Sequence, residues 1–118
     1  MEFLFKKMNI KQKDIVLLPY PFTNLEGSKV RPAIVISNDT FNKKSDDCIA
    51  IPLTTIIKEV PYSIIIDQTD LSYGKLIKPS RIGIDKIFTV EKKSIIMKIG
   101  VIKDPTFSKI KSELMNVF

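Results

Sequence analysis

The sequence predicts a mainly β fold, a small closed antiparallel barrel followed by one C-terminal helix. Seven apolar segments of strand length, rich in isoleucine and valine, are separated by turn-forming residues. After Asp104 the apolar residues change period, from short runs to a three- and four-residue spacing. Six or seven short strands within 118 residues favour closure, because closure removes unpaired strand edges.

The expected strands, in order, are Asp14–Leu18, Val30–Ser37, Cys48–Leu53, Tyr62–Asp67, Lys75–Lys78, Arg81–Ile87 and Ser94–Ile99. Asn24, Gly27, Asn38, Asp39, Asp46 and Gly74 mark the turns between them. Pro19 and Pro21 stop regular pairing at the exit of the first strand. At the other end, Asp104 is expected to cap a helix and Pro105 to occupy its first position, where a missing N–H costs nothing. Phe107, Ile110, Leu114 and Val117 then form the face that packs on the barrel. The whole chain, 1–118, reads as one domain, with residues 1–12 as a flexible N-terminal extension.

Composition removes several chemistries. Histidine is absent, which excludes Ser-His-Asp and Cys-His catalysis, histidine metal sites and paired-histidine ribonuclease chemistry. Cys48 is the lone cysteine, so neither an intrachain disulfide nor a cysteine zinc cluster can form, and it is expected to be a small buried hydrophobe. No segment approaches the roughly 18 apolar residues of a membrane span. Phe3-Leu4-Phe5 is followed by lysines instead of a cleavage site. A cytoplasmic protein without membrane contact or cofactor is expected.

Charge points to polyanions. Nineteen basic against thirteen acidic side chains leave a net charge of +6. Only Arg31 and Arg81 are arginines; the other basic residues are lysines. A sequence that defaults to lysine keeps arginine where a planar, two-pronged donor is needed. Arg31 stands at the start of a strand, after a polar loop holding Glu26 and Gly27, and Ile49-Ala50-Ile51-Pro52-Leu53 ends in Thr54-Thr55. Read as plain structure, Arg31 and Glu26 form a surface ion pair and the threonines end a strand.

The order of strand, proline-containing loop, Arg31-Pro32, apolar strand and Pro52-Leu53-Thr54-Thr55 resembles the PemK/MazF family of bacterial toxins. Asp85–Lys92 and Lys98–Ile102 also resemble its final strands. The resemblance implies an SH3-like barrel of the CcdB/MazF type that dimerises, cleaves single-stranded mRNA without metal, and is held by an acidic antitoxin. By position it makes Arg31 and Thr54 catalytic, together with Glu26, although Leu25-Glu26-Gly27-Ser28 departs from the family's commoner run in that loop. Phe22 and Tyr20 are candidates to stack on unpaired bases. Lys29, Lys75, Lys78 and Arg81 are candidates for phosphate contacts, and Thr23, Ser28 and Thr55 complete the RNA-binding set.

The implied chemistry suits these residues. When the 2′-hydroxyl of RNA attacks the adjacent phosphorus, the enzyme supplies no nucleophile. A guanidinium can hold two phosphoryl oxygens as charge gathers there, and the Thr54 hydroxyl can donate to the same phosphate. Arginine is a poor proton acceptor. The base is therefore Glu26, or else the proton moves through water with arginine as the acid. Two other functions stay open on these residues: a barrel toxin that poisons DNA gyrase by binding, and a non-catalytic barrel that binds RNA or protein.

Overall fold

A computed structural model of the chain describes residues 9–19 and 30–118. The elements are β1 (Asp14–Pro19), β2 (Val30–Val35), α1 (Asp39–Lys44), β3 (Asp47–Thr54), β4 (Ser63–Ile66), β5 (Leu71–Gly74), β6 (Ser80–Gly83), β7 (Phe88–Glu91), β8 (Met97–Ile102) and α2 (Asp104–Val117). The eight strands run β4-β6-β3-β2-β1-β8-β5, all antiparallel, with β7 joined to β3 off this path. The sheet curls into a half-barrel in which β4 and β5 form the two ends.

Two apolar layers explain the unbroken runs of the central strands. Ile15, Ile34, Ile51, Leu53, Ile82 and Ile102 pack on one face with Phe107 and Ile110 of α2, and Leu114 and Val117 border them. Val16, Leu18, Ala33, Val35, Cys48 and Ala50 pack on the other face with Ile10, Val90 and Ile95. Neighbours in sequence thus point to opposite faces, and both faces are covered. Cys48 is fully buried, as its apolar neighbours imply.

Pro52 shapes the centre of the sheet. Ile36 N–H bonds to Ile49 O (2.8 Å), and Ile34 pairs with Ile51, so odd-numbered residues of β3 face β2. Pro52 faces the other side and has no N–H to give. On that side β3 pairs with β7 through Ala50 and with β6 from Leu53 onward. The missing donor falls where β3 changes partner.

Several elements differ from the sequence expectation. The strand expected at 75–78 lies four residues earlier, at Leu71–Gly74, where it pairs with β8. The expected strand 81–87 is shorter, because the chain turns after Gly83, and Phe88–Glu91 is a strand of its own. The last strand runs from Met97 instead of Ser94. The polar loop after β2 holds α1, capped by the Asn38 side chain, which accepts from Phe41 N–H (2.8 Å). Helix α2 begins after Lys103, so Asp104 lies in its first turn, where it meets Lys13 at 2.6 Å instead of capping. Within the expected N-terminal extension, Ile10 is buried and Gln12 Nε2 donates to Ile36 O (2.8 Å), so these two residues are held on the fold. Among the described residues, no helix is long and apolar enough to cross a membrane.

Candidate active site

The site begins with a second proline. Even-numbered residues of β2 turn their N–H groups toward β3, as Ile36 does, so Pro32 again faces a partner strand without a donor. The β2–β3 ladder accordingly stops at Ala33↔Pro52. Continuing that register places Arg31 opposite Thr54, at the point where the two strands are no longer laced together. On its far side Thr54 is paired with Arg81 of β6, and Arg81 with Ile65 of β4. On the near side Arg31 is paired with Leu18 of β1. Directly opposed residues of antiparallel strands share a face. Arg31, Thr54 and Arg81 therefore stand in one row across three strands.

Their surroundings fix them unequally. Arg31 is half-buried, and its Nε is shielded from solvent. The Thr54 hydroxyl accepts from Ile56 N–H (3.1 Å), and Arg81 Nε donates to Ile56 O (3.2 Å). Ile56 is thereby held at both its amide and its carbonyl. Its side chain, with those of Ile57 and Ile65, is exposed beside the row.

Thr55 and Lys78 lie elsewhere. They line a groove of about 720 Å³ with Leu17, Pro32, Lys75, Met97 and Lys98. The groove touches the row through sequence neighbours, because Pro32 follows Arg31 and Thr55 follows Thr54. Among the described residues that line it, three are lysines and none is a carboxylate, and its apolar rim includes the exposed Tyr73 and Ile77. Lys98 is anchored from below by Asp14, a buried carboxylate 3.1 Å away that also accepts from Lys11 N–H (2.8 Å).

The structure thus brings Arg31, Thr54 and Arg81 together and sets Thr55, Lys75 and Lys78 beside them. Glu26, Tyr20, Phe22, Thr23, Ser28 and Lys29 lie outside the described residues. Sequence reasoning missed Lys98, Leu17 and Met97 in the groove, because cross-strand neighbours carry no local signal. It also missed the backbone of Ile56, whose part depends on hydrogen bonds and not on its side-chain type. Among the described residues, no cluster of three or more histidine, cysteine or acidic side chains could hold a metal ion.

Comparison with known proteins bears on the same region. The model of the PemK-like, MazF-like toxin of type II toxin–antitoxin systems matches residues 11–118. An endoribonuclease in complex with its cognate antitoxin from mycobacterial species is 20% identical, with a TM-score of 0.74 over 91% of this chain and 92% of that one. A MazE–MazF crystal structure from Deinococcus radiodurans is 17% identical, with a TM-score of 0.75 over 93% and 96%. The toxin MazF-mt6 of Mycobacterium tuberculosis is 16% identical, with a TM-score of 0.72 over 89% and 95%. At such identities the structures speak for the fold alone, and the family match supplies the rest. With the half-barrel, the C-terminal helix and the Arg31–Thr54 pair all inside the matched span, the chain belongs to the PemK-like, MazF-like toxins of type II toxin–antitoxin systems.

Proposed function

We propose that this toxin is an endoribonuclease that cuts single-stranded mRNA at a preferred sequence, without metal, by attack of the substrate's own 2′-hydroxyl. The observation that carries the reading is the row of Arg31, Thr54 and Arg81 beside a lysine-lined groove. The attacking 2′-oxygen forms a bond to phosphorus, the bond from phosphorus to the 5′-oxygen breaks, and a 2′,3′-cyclic phosphate and a 5′-hydroxyl result. The guanidinium of Arg31 holds two phosphoryl oxygens as their charge grows, and Thr54 donates to one of them. The 2′-proton leaves to Glu26 or water, and the leaving oxygen gains a proton from Arg31 or water. The lysines of the groove hold the flanking phosphates, and Phe22 stacks on a base.

The same reading makes the toxin a cytoplasmic homodimer, in which two basic surfaces join into one longer path for RNA. An acidic antitoxin segment fills that path, and its association slows steeply with salt because part of the +6 charge drives the encounter.

Incubating the toxin with a long RNA in EDTA is the test. Cleavage to cyclic-phosphate ends is expected, and a single deoxyribose 5′ to the scissile phosphate blocks it. Arg31→Lys lowers the rate about 100- to 1000-fold, because an ammonium cannot make the fork contact. Thr54→Ala loses activity, and Thr55→Ala loses less. Cutting of the deoxyribose substrate would refute the mechanism. Intact RNA with inhibited gyrase supports the gyrase-poison alternative, and intact RNA bound by the toxin supports the non-catalytic one.

A further inference from the structure

We propose that Arg81 is a positioning residue for Thr54, acting through the backbone of Ile56. The inference rests on the nuclease reading of Arg31 and Thr54, and it gives Arg81 a different part from a phosphate contact. Three observations carry it. Arg81 stands directly opposite Thr54 in the β3–β6 ladder. Its Nε donates to Ile56 O (3.2 Å), while Ile56 N–H donates to Thr54 Oγ1 (3.1 Å). Ile56 itself lies beyond the end of β3 and is 57% exposed, so apolar packing does little to hold it.

The consequence follows from the hydroxyl's own capacity. A threonine hydroxyl has one hydrogen to donate and two lone pairs to accept with. With the Ile56 amide on one lone pair, the hydroxyl hydrogen is turned away from the 55–62 segment and is free to point to the open end between β2 and β3, where Arg31 stands. If the Ile56 carbonyl is released, that amide drifts and the hydroxyl rotates. Arg81 therefore sets the direction in which Thr54 donates, without touching the reacting atoms. A lysine would not replace it, because the bond is made by the planar Nε–H, and a lysine has only methylene at that point of its side chain.

Arg81→Gln and Arg81→Met separate the possible parts. Glutamine Nε2 stands as many bonds from the backbone as arginine Nε, so it can still donate to Ile56 O but carries no charge. Methionine can do neither. In steady-state cleavage of a short RNA, Arg81→Met is expected to lower kcat about 10- to 100-fold with a smaller change in KM, the scale set by slight misplacement of a reacting group. Arg81→Gln is expected to keep kcat within about threefold. Amide hydrogen exchange of Ile56, read by NMR without RNA, is expected to quicken about tenfold or more in Arg81→Met and to stay near the parent rate in Arg81→Gln. An equal rise in KM for both variants with kcat unchanged would overturn the proposal and leave Arg81 as a phosphate contact. Unchanged Ile56 exchange in Arg81→Met would overturn it as well. If the parent protein cuts no RNA, the nuclease reading fails, and the exchange measurement still decides whether Arg81 holds Ile56 and Thr54.

Discussion

Replacing Gly74 by alanine tests how closely β5 lies on β8. Gly74 has φ +89°, a conformation that side chains rarely adopt and that costs them about 1–2 kcal/mol. A Cβ there would sit 2.1 Å from Ile99 O and 2.4 Å from Gly100 Cα, both backbone atoms that cannot rotate aside. To restore even a 3.0 Å contact, β5 must withdraw from β8 by about 0.9 Å. The bond from Lys75 N–H to Ile99 O, already 3.2 Å, breaks with that movement, at about 1 kcal/mol. The sum is about 2–3 kcal/mol, or a melting point lower by roughly 10 °C for a domain of this size. Gly83→Ala is the control. Its Cβ would meet Lys86 Cγ at 3.2 Å, in an exposed, flexible side chain that can shift while its ammonium keeps Asp85. It is expected to lie within about 0.5 kcal/mol of the parent. Urea unfolding of the two variants measures the difference, and equal stabilities would refute the close approach of β5 to β8. Gly100→Ala presses on the same gap from the other side, where its Cβ would meet Tyr73 O at 2.7 Å. The double variant is therefore expected to cost less than the sum of the two single ones.

Three further outcomes are expected. Burial pushes the Cys48 thiol up to about 11, so it should react with a disulfide reagent near neutral pH only as fast as the protein opens, and immediate labelling of the folded protein would contradict this. Asn42 is buried, meets Ser37 Oγ at 2.5 Å and donates through Nδ2 to Ser37 O (2.9 Å). Asn42→Ala should therefore cost about 2–3 kcal/mol in urea unfolding, since both bonds to Ser37 are lost and the buried side-chain space is emptied. The Lys13 ammonium beside Asp104 holds that carboxyl below the usual carboxylate range. A depressed folded value means stabilisation that is present above the unfolded value and lost as pH falls through the folded one. Asp104→Asn should thus unfold more easily than the parent near neutrality and equally in strong acid, which a series of urea midpoints against pH would check.

The elements legible in the sequence are those whose own residues are buried. β1, β2 and β3 carry Ile15, Ile34 and Ile51 on one face and Val16, Val35 and Cys48 on the other, so their runs stand out whatever they pair with. β5 buries Leu71 alone and β7 only Val90. Those strands exist because β8 and β3 offer them an edge, and that offer is written elsewhere in the chain. Helix α1 is six residues with one buried side chain, the polar Asn42, so it shows no apolar period. At the site, Arg31 and Thr54 could be singled out because their motifs are local. That Arg81 stands across from Thr54 is a matter of register between distant strands, and no local window contains it.

The pairing of β1 with β8 also bears on how the chain assembles. β1, β2 and β3 follow one another and pair in sequence, so they can form while the rest of the chain is still being made. β1 then waits with one bare edge until Met97–Ile102 arrives to cover it. A nascent or truncated chain that ends before Met97 carries that edge uncovered, together with an apolar face that α2 has not yet reached. Such a species is a template for pairing with other chains. The last stretch of the polypeptide is thus what closes over the open flank of a sheet whose other side, β3 with β6, β4 and β7, is already made.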